Sequence, residues 1–255
     1  MTSQRSVGVH YHLPRRIPEG WELSEEAMPE SVVHDRALEL VKALLAVWAV
    51  RAAAMVVRNL AVRWDAEHPS IGVDPDVAVL RPPPPGADDL RSLRTWMEGH
   101  AAPVLAVEVV SETNPHKDYA IAPDKYAASG TGELWIFDPL LAGPAVHGGP
   151  CRLQIWHRRD DGDFVRIYAG DGPARSPLLG AWLVPTEEGR KLRIAHDEGA
   201  TQFWPTAEEL AIAAKEQERA AKEQERAAKE QERAAKDAAL ARIAELEAEL
   251  ARRGG

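Results

Sequence analysis

The chain predicts an α/β fold with a central mixed β-sheet flanked by helices, followed by a long charged helix at the C-terminal end. Three observations carry this. Short, nearly continuous apolar runs at 103–111 and 133–139 read as buried strands, the first on both faces, and 75–80 reads as a further strand opened by a proline. Two stretches with helical spacing or helix signals, from Ser31 and from Pro123, are interleaved with them. A seven-residue unit, Lys-Glu-Gln-Glu-Arg-Ala-Ala, then recurs in tandem at 215–221, 222–228 and 229–235.

The elements follow in order. Residues 1–20 are polar, contain Pro and Arg, and read as a loose arm; 21–204 read as the globular domain and 205–255 as a helical tail. Ser31 can cap a helix on which Val33, Ala37, Leu40, Val41, Leu44, Leu45 and Trp48 recur at helical spacing. Residues 53–57 and 60–64 are short strand candidates. Pro75 opens a strand that the proline run 82–85 ends, and the polar stretch onward to His100 reads as an exposed excursion. The strand at 103–111 precedes a polar segment, 112–118, and a helix at 123–129 with Pro123 in its first turn and Gly130 after it. Strands at 153–158 and 164–168 flank Arg159-Asp160-Asp161-Gly162-Asp163, a hairpin signal. A second hairpin is expected around Glu187-Glu188-Gly189. Trp48, Trp64, Trp135, Trp156 and Trp182 read as core, because no basic interleaving marks them as a base-stacking platform.

The repeats place Glu218–Lys222, Glu225–Lys229 and Glu232–Lys236 at the favourable i, i+4 order. Their only apolar residues are adjacent alanines, so they read as a solvated, charge-paired helix. Leu240, Ile243, Leu246 and Leu250 offer a short seam for a homodimer.

Composition narrows the function classes. One cysteine, Cys151, excludes an internal disulfide and fits a cytoplasmic protein. No run approaches the ~18 apolar residues of a membrane span. The net charge of -9 gives no general attraction for nucleic acid and leaves only a local groove for it. A P-loop and a nucleophile elbow are both missing.

Glu108 is the anomaly. It lies inside the apolar run 103–111, where an ionised carboxylate costs several kcal/mol unless a cation or donors meet it. The partner is either an internal base, such as Arg58 or Arg63, or a metal ion. Asp76 opens another strand. If the two strands are neighbours, Asp76 and Glu108 converge as the oxygen ligands that suit Mg²⁺ or Mn²⁺. Taken alone, Asp76 also suits a strand-entry turn, Asp138 a turn after its strand, and His34 a packed or surface position. Asp35 and Glu39 read as a solvated helix face.

The order Pro75-Asp76-Val77, Val107-Glu108-Val109-Val110-Ser111, Lys117-Asp118-Tyr119, Tyr126, Gly130 and Glu133-Leu134-Trp135-Ile136-Phe137-Asp138-Pro139 resembles the Uma family. These are endonucleases with a restriction-endonuclease-like fold, in the PD-(D/E)xK superfamily. The resemblance covers about residues 20–200. It implies a mixed sheet flanked by helices and Mg²⁺-dependent hydrolysis of DNA phosphodiester bonds, with a dimer through the globular domain as the alternative to one through the helical tail. It further implies that Asp76 and Glu108 are metal ligands, and it matches His34 to a histidine of the first helix. The superfamily lysine two residues after the acid is Val110 here, and its alternative position on the following helix is Ala122. Lys125 and Lys117 are the two lysines that can supply the ammonium instead, with a solvated surface position as the alternative for Lys125. A nuclease-fold protein acting as a scaffold through its helical tail is the second functional expectation.

Overall fold

The computed structural model describes residues 7–9, 21–22 and 31–253. The chain divides into two compact units, Met1–Thr206 and Ala207–Gly255.

In the first unit, seven strands form one mixed sheet in the order β1 (Val7–Val9), β9 (Phe164–Gly170), β8 (Leu153–Arg158), β7 (Glu133–Phe137), β6 (Leu105–Val109), β4 (Val77–Leu80) and β2 (Met55–Val57). Only β6 and β7 run parallel; the other neighbouring pairs are antiparallel. A parallel pair needs a crossover, and helix α2 (Ala122–Ser129) supplies it. Gly130 leaves α2 in the left-handed region at φ 83°. At Gly132 a Cβ would lie 2.9 Å from the Val104 carbonyl oxygen, so glycine lets the chain enter β7 tight against β6.

Alternation along the strands divides the core into two layers. Val77, Val79, Leu105, Val107, Val109, Trp135, Phe137, Leu153 and Ile155 face one side. There they meet Leu38, Val41, Leu44 and Leu45 of helix α1 (Val32–Ala52). The same layer receives Leu183, Leu192 and Ile194 from a three-stranded sheet of β10 (Ala174–Ser176), β11 (Ala181–Thr186) and β12 (Lys191–Ala195). Ala78, Leu80, Ala106, Val110, Leu134, Ile136 and Trp156 face the other side, against Tyr119, Ala122, Tyr126 and Ala127. Burial on both faces explains why these strands read as continuous apolar runs. Helix α1 starts where expected, with Ser31 Oγ accepting the His34 backbone N–H at 3.2 Å.

Three local expectations are corrected. The excursion after the prolines is not wholly exposed: β5 (Ser92–Arg94) pairs in parallel with β3 (Ala61–Arg63), and Leu93 is fully buried. One apolar residue among polar neighbours gives no readable period. The polar segment ends early, because Lys117–Ile121 already forms a π-helical turn that runs into α2, with Asp118 and Tyr119 buried. Within the expected arm, Val7–Val9 pair with β9, and the remaining residues of 1–20 lie outside the described residues. Among the tryptophans, Trp135 and Trp156 are buried, while Trp48, Trp64 and Trp182 are half-buried.

The second unit is helix α3 (Ala207–Arg253), whose described side chains are exposed. The repeat pairs form as expected: Glu218–Lys222, Glu225–Lys229 and Glu232–Lys236 each close to 2.6 Å. Leu240, Ile243 and Leu246 are exposed, and the side chain of Leu250 lies outside the described residues. No helix among the described residues is long and apolar enough to cross a membrane.

Candidate metal centre

The register of the β4–β6 ladder brings the two predicted acids together. Val77 pairs with Val107. One step further along this antiparallel ladder, Asp76 stands opposite Glu108 at the C-terminal end of β6. Both are buried, at 9% and 1% exposure.

Each carboxylate is held differently. Asp76 Oδ2 accepts the Val109 backbone N–H at 2.7 Å. Beside it, His34 Nε2 donates to the Val109 carbonyl at 2.8 Å and lies 3.6 Å from Asp76 Oδ2. His34 is thus a packed residue of α1 that also borders the site. Glu108 Oε1 accepts the Tyr126 hydroxyl at 2.5 Å, and Glu108 Oε2 meets Lys117 Nζ at 3.4 Å. The internal base opposite Glu108 is therefore Lys117. The arginines considered from sequence are engaged elsewhere. Arg58 lies 3.8 Å from Asp35, and Arg63 donates to the Pro69 carbonyl and to Ser92 Oγ.

Lys117 reaches a second acid, Asp118 Oδ1, at 3.3 Å. This contact has the distance of an ion pair, and neither Asp118 oxygen makes a hydrogen bond of good geometry, with the Ser111 backbone supporting it less than Lys117 does. The Lys117 side chain is 47% exposed, so its stem runs along the surface while its ammonium enters the acidic cluster. Lys125 is on α2 and buried, not on the solvated surface. Asp35 and Glu39 are exposed, as their helix face predicts. Asp138 does end β7 in a turn, accepting the Ala142 and Gly143 N–H groups, but it is fully buried.

The electrostatics follow from three carboxylates sharing one buried corner. Burial pushes the Glu108 carboxyl up to about 8; Asp76 and Asp118 add to this, while Lys117 and the Tyr126 hydrogen bond oppose it. Burial likewise pushes Asp118 up to about 6, against the pull of Lys117. Glu108 holds Lys117 above the ordinary lysine range, with Asp118 and Asp76 adding to it and burial opposing. Burial lowers Lys125 to about 8, with Lys117 lowering it further and Glu108 and Asp74 pulling it back. Acids driven toward neutrality and an excess of buried negative charge form an environment that a cation relieves.

A divalent cation fits the chemistry of this donor set. Asp76 and Glu108 are hard oxygen donors, and Asp118 contributes two buried oxygens without hydrogen bonds of good geometry. Among the described residues, no three His, Cys, Asp or Glu side chains stand at the spacing of a complete metal site. A cation held there would take its remaining ligands from water and substrate, as a hard divalent ion does.

Of the residues singled out in the sequence, the structure brings Asp76, Glu108 and Lys117 into one corner and buries Lys125 on α2, while Asp118, not singled out for the site, lies beside Lys117. The signal was available in part: Asp118, Ala122 and Tyr126 recur at i, i+4 spacing, the mark of one helix face. Its burial was hidden because the turn carrying it reads as polar loop.

A mixed sheet flanked by helices, with Asp76 and Glu108 facing each other across the antiparallel β4–β6 pair, is consistent with the restriction-endonuclease-like class. Residues 15–162 match the model of the Uma2 family, described as "Putative restriction endonuclease". That is more than half of the chain, which belongs to this family. Among solved structures, a "putative nuclease belonging to DUF820" from Anabaena variabilis is 18% identical. That match has a TM-score of 0.35 and covers 44% of this chain and 60% of that one. No curated protein matches the chain.

Proposed function

We propose that this protein is an endonuclease that hydrolyses DNA phosphodiester bonds with Mg²⁺ or Mn²⁺. The observation that carries this reading is the facing of Asp76 and Glu108 across β4 and β6, with the Lys117 ammonium 3.4 Å from Glu108. Asp76 and Glu108 would hold the cation, which supplies polarisation of a phosphoryl oxygen and a lowered pKa for bound water. The chain's own groups prepare the site. The Val109 N–H and His34 fix the Asp76 side, and the Tyr126 hydroxyl fixes Glu108. Lys117 and Lys125 place ammonium charge where the attacking water and the developing negative charge need it. Lys117 thereby takes the part of the lysine missing at Val110 and Ala122. Its position next to Asp118 in the π-helical turn brings it to Glu108 from outside the strand.

The test is cleavage of supercoiled plasmid by the purified full chain with Mg²⁺, Mn²⁺ or chelator. Cutting is expected only with metal, and Asp76→Asn and Glu108→Gln are expected to abolish it with unchanged circular dichroism. Metal-dependent cutting that survives both substitutions overturns the site. A wild type that neither cuts nor binds metal overturns the nuclease reading and returns the fold to a scaffold role.

A further inference from the structure

The buried acids of this protein fall into two kinds. Glu133, fully buried, accepts from Trp135 Nε1 at 2.6 Å, Ser176 Oγ at 2.5 Å and the Leu178 N–H at 2.9 Å. Asp138, fully buried, accepts from the Tyr119 hydroxyl and two backbone N–H groups. Both are held by fixed backbone, hydroxyl and indole donors, with His157 Nδ1 also 3.4 Å from Glu133, the arrangement expected of a permanent structural carboxylate. Asp118 is as deeply buried, at 1% exposure, and neither oxygen makes a hydrogen bond of good geometry, the Ser111 backbone supporting it less than Lys117 does. Its compensation is the Lys117 ammonium, 3.3 Å away, which simultaneously lies 3.4 Å from Glu108. That ammonium sits at the end of a long chain whose side chain is 47% exposed, so it can leave without unpacking the core.

We propose that Lys117 is the resident counter-ion of a Glu108–Asp118 carboxylate pair, and that a divalent cation binds by taking its place, with Asp118 as a ligand beyond Asp76 and Glu108. This rests on the metal-dependent nuclease reading and adds to it an exchange. One buried corner accommodates one compensating cation. A lysine charge and a divalent ion compete for the same oxygens, and the ion is favoured by its higher charge and its need for hard oxygen donors. The displaced ammonium remains tethered one residue from Asp118, at the mouth of the site, where a phosphate group of the substrate is its natural partner. With Lys117 between them the three acids do not stand at ligand spacing among the described residues, so loading the metal draws Asp118 in as Lys117 leaves and releases the lysine for the substrate.

The test is calorimetric titration of the full chain with Mg²⁺ and with Mn²⁺, alongside thermal unfolding with and without the ion. Asp118→Asn, which keeps the shape and removes the charge, is expected to weaken binding by about tenfold or more. Lys117→Gln removes the competitor and is expected to tighten binding by about tenfold. It is also expected to lower the metal-free melting temperature, with saturating Mg²⁺ restoring it. A lysine that merely supports the fold gives the opposite sign on affinity. Binding by Lys117→Gln that is equal to or weaker than wild type overturns the exchange. Unchanged binding by Asp118→Asn overturns the ligand assignment. If Asp118→Asn does not fold, the Lys117→Gln titration decides alone. A wild type that binds neither ion removes the nuclease reading itself, whereas wild-type binding with unaltered variants removes only this inference.

Discussion

Glutamate meets lysine in two settings in this chain. In α3, Lys222 Nζ lies 2.6 Å from Glu218 Oε1, with side chains 68% and 67% exposed. At the end of β6, Lys117 Nζ lies 3.4 Å from Glu108 Oε2, whose side chain is 1% exposed. The shorter contact carries the smaller consequence. In α3 both charges keep their water, and the pair contributes about 0.3–0.5 kcal/mol, the range for exposed helix pairs. At Glu108 the carboxylate has lost its water, so its protonation, its partner and its response to metal all depend on what replaces that water. Desolvation, more than separation, decides what an ion pair does.

The largest expected contrast is in chemistry. Glu108→Ala should reduce metal-dependent DNA cleavage by about a thousandfold or more, whereas Glu218→Ala should leave it unchanged. Plasmid nicking rates at saturating Mg²⁺ check this, and equal rates for the two variants would erase the distinction.

Next comes pH. The Glu108 carboxyl is raised from 4.5 to about 8 in the fold, so the folded chain holds this proton more tightly than the unfolded chain. Its contribution to stability is present below 4.5 and is lost as pH rises through about 8; Asp118, raised from 3.8 to about 6, has the same sign. The metal-free melting temperature should therefore fall across this interval. Mg²⁺ affinity should rise across it, because the ion competes with the same protons. Scanning calorimetry and Mg²⁺ titration at three pH values measure both, and a pH-independent affinity would contradict the buried-carboxylate account.

A smaller effect is expected at Tyr126. Tyr126→Phe removes the 2.5 Å hydrogen bond to Glu108 and should cost about 0.5–1.5 kcal/mol of stability in urea unfolding near pH 7, the range for a bond to an uncharged group. On α3, Lys222→Gln should change helicity and stability within about 0.5 kcal/mol, and that small effect should vanish in high salt. Smallest of all, removing residues 207–255 should leave the unfolding midpoint of the remaining chain unchanged. A lowered midpoint would show that α3 contributes to the first unit's stability.

Much of the fold was legible before any coordinates. Strands buried on both faces announce themselves as short β-branched runs, and Ser31 marks a helix start through its capping chemistry. β5 escaped because a single buried Leu93 has no periodicity to display. At the site, Glu108 could be recognised from energetics alone, since an acid in an apolar strand demands compensation. Which group compensates it depended on a helical turn that reads as polar loop. That turn delivers Lys117 and Asp118 to the strand end, while Arg58 and Arg63 face other partners.

By itself, the sequence determined most of the buried strands, the α1 start, the anomalous Glu108 and the charge-paired repeats of α3, because each rests on a pattern within a short segment. The tertiary structure alone decided that Asp76 faces Glu108, which cation answers Glu108, that Asp118 is buried beside Lys117, and that Tyr126 bonds Glu108 from α2. Those facts depend on separate segments of the chain meeting in a volume that excludes water, and no local pattern encodes where water is excluded.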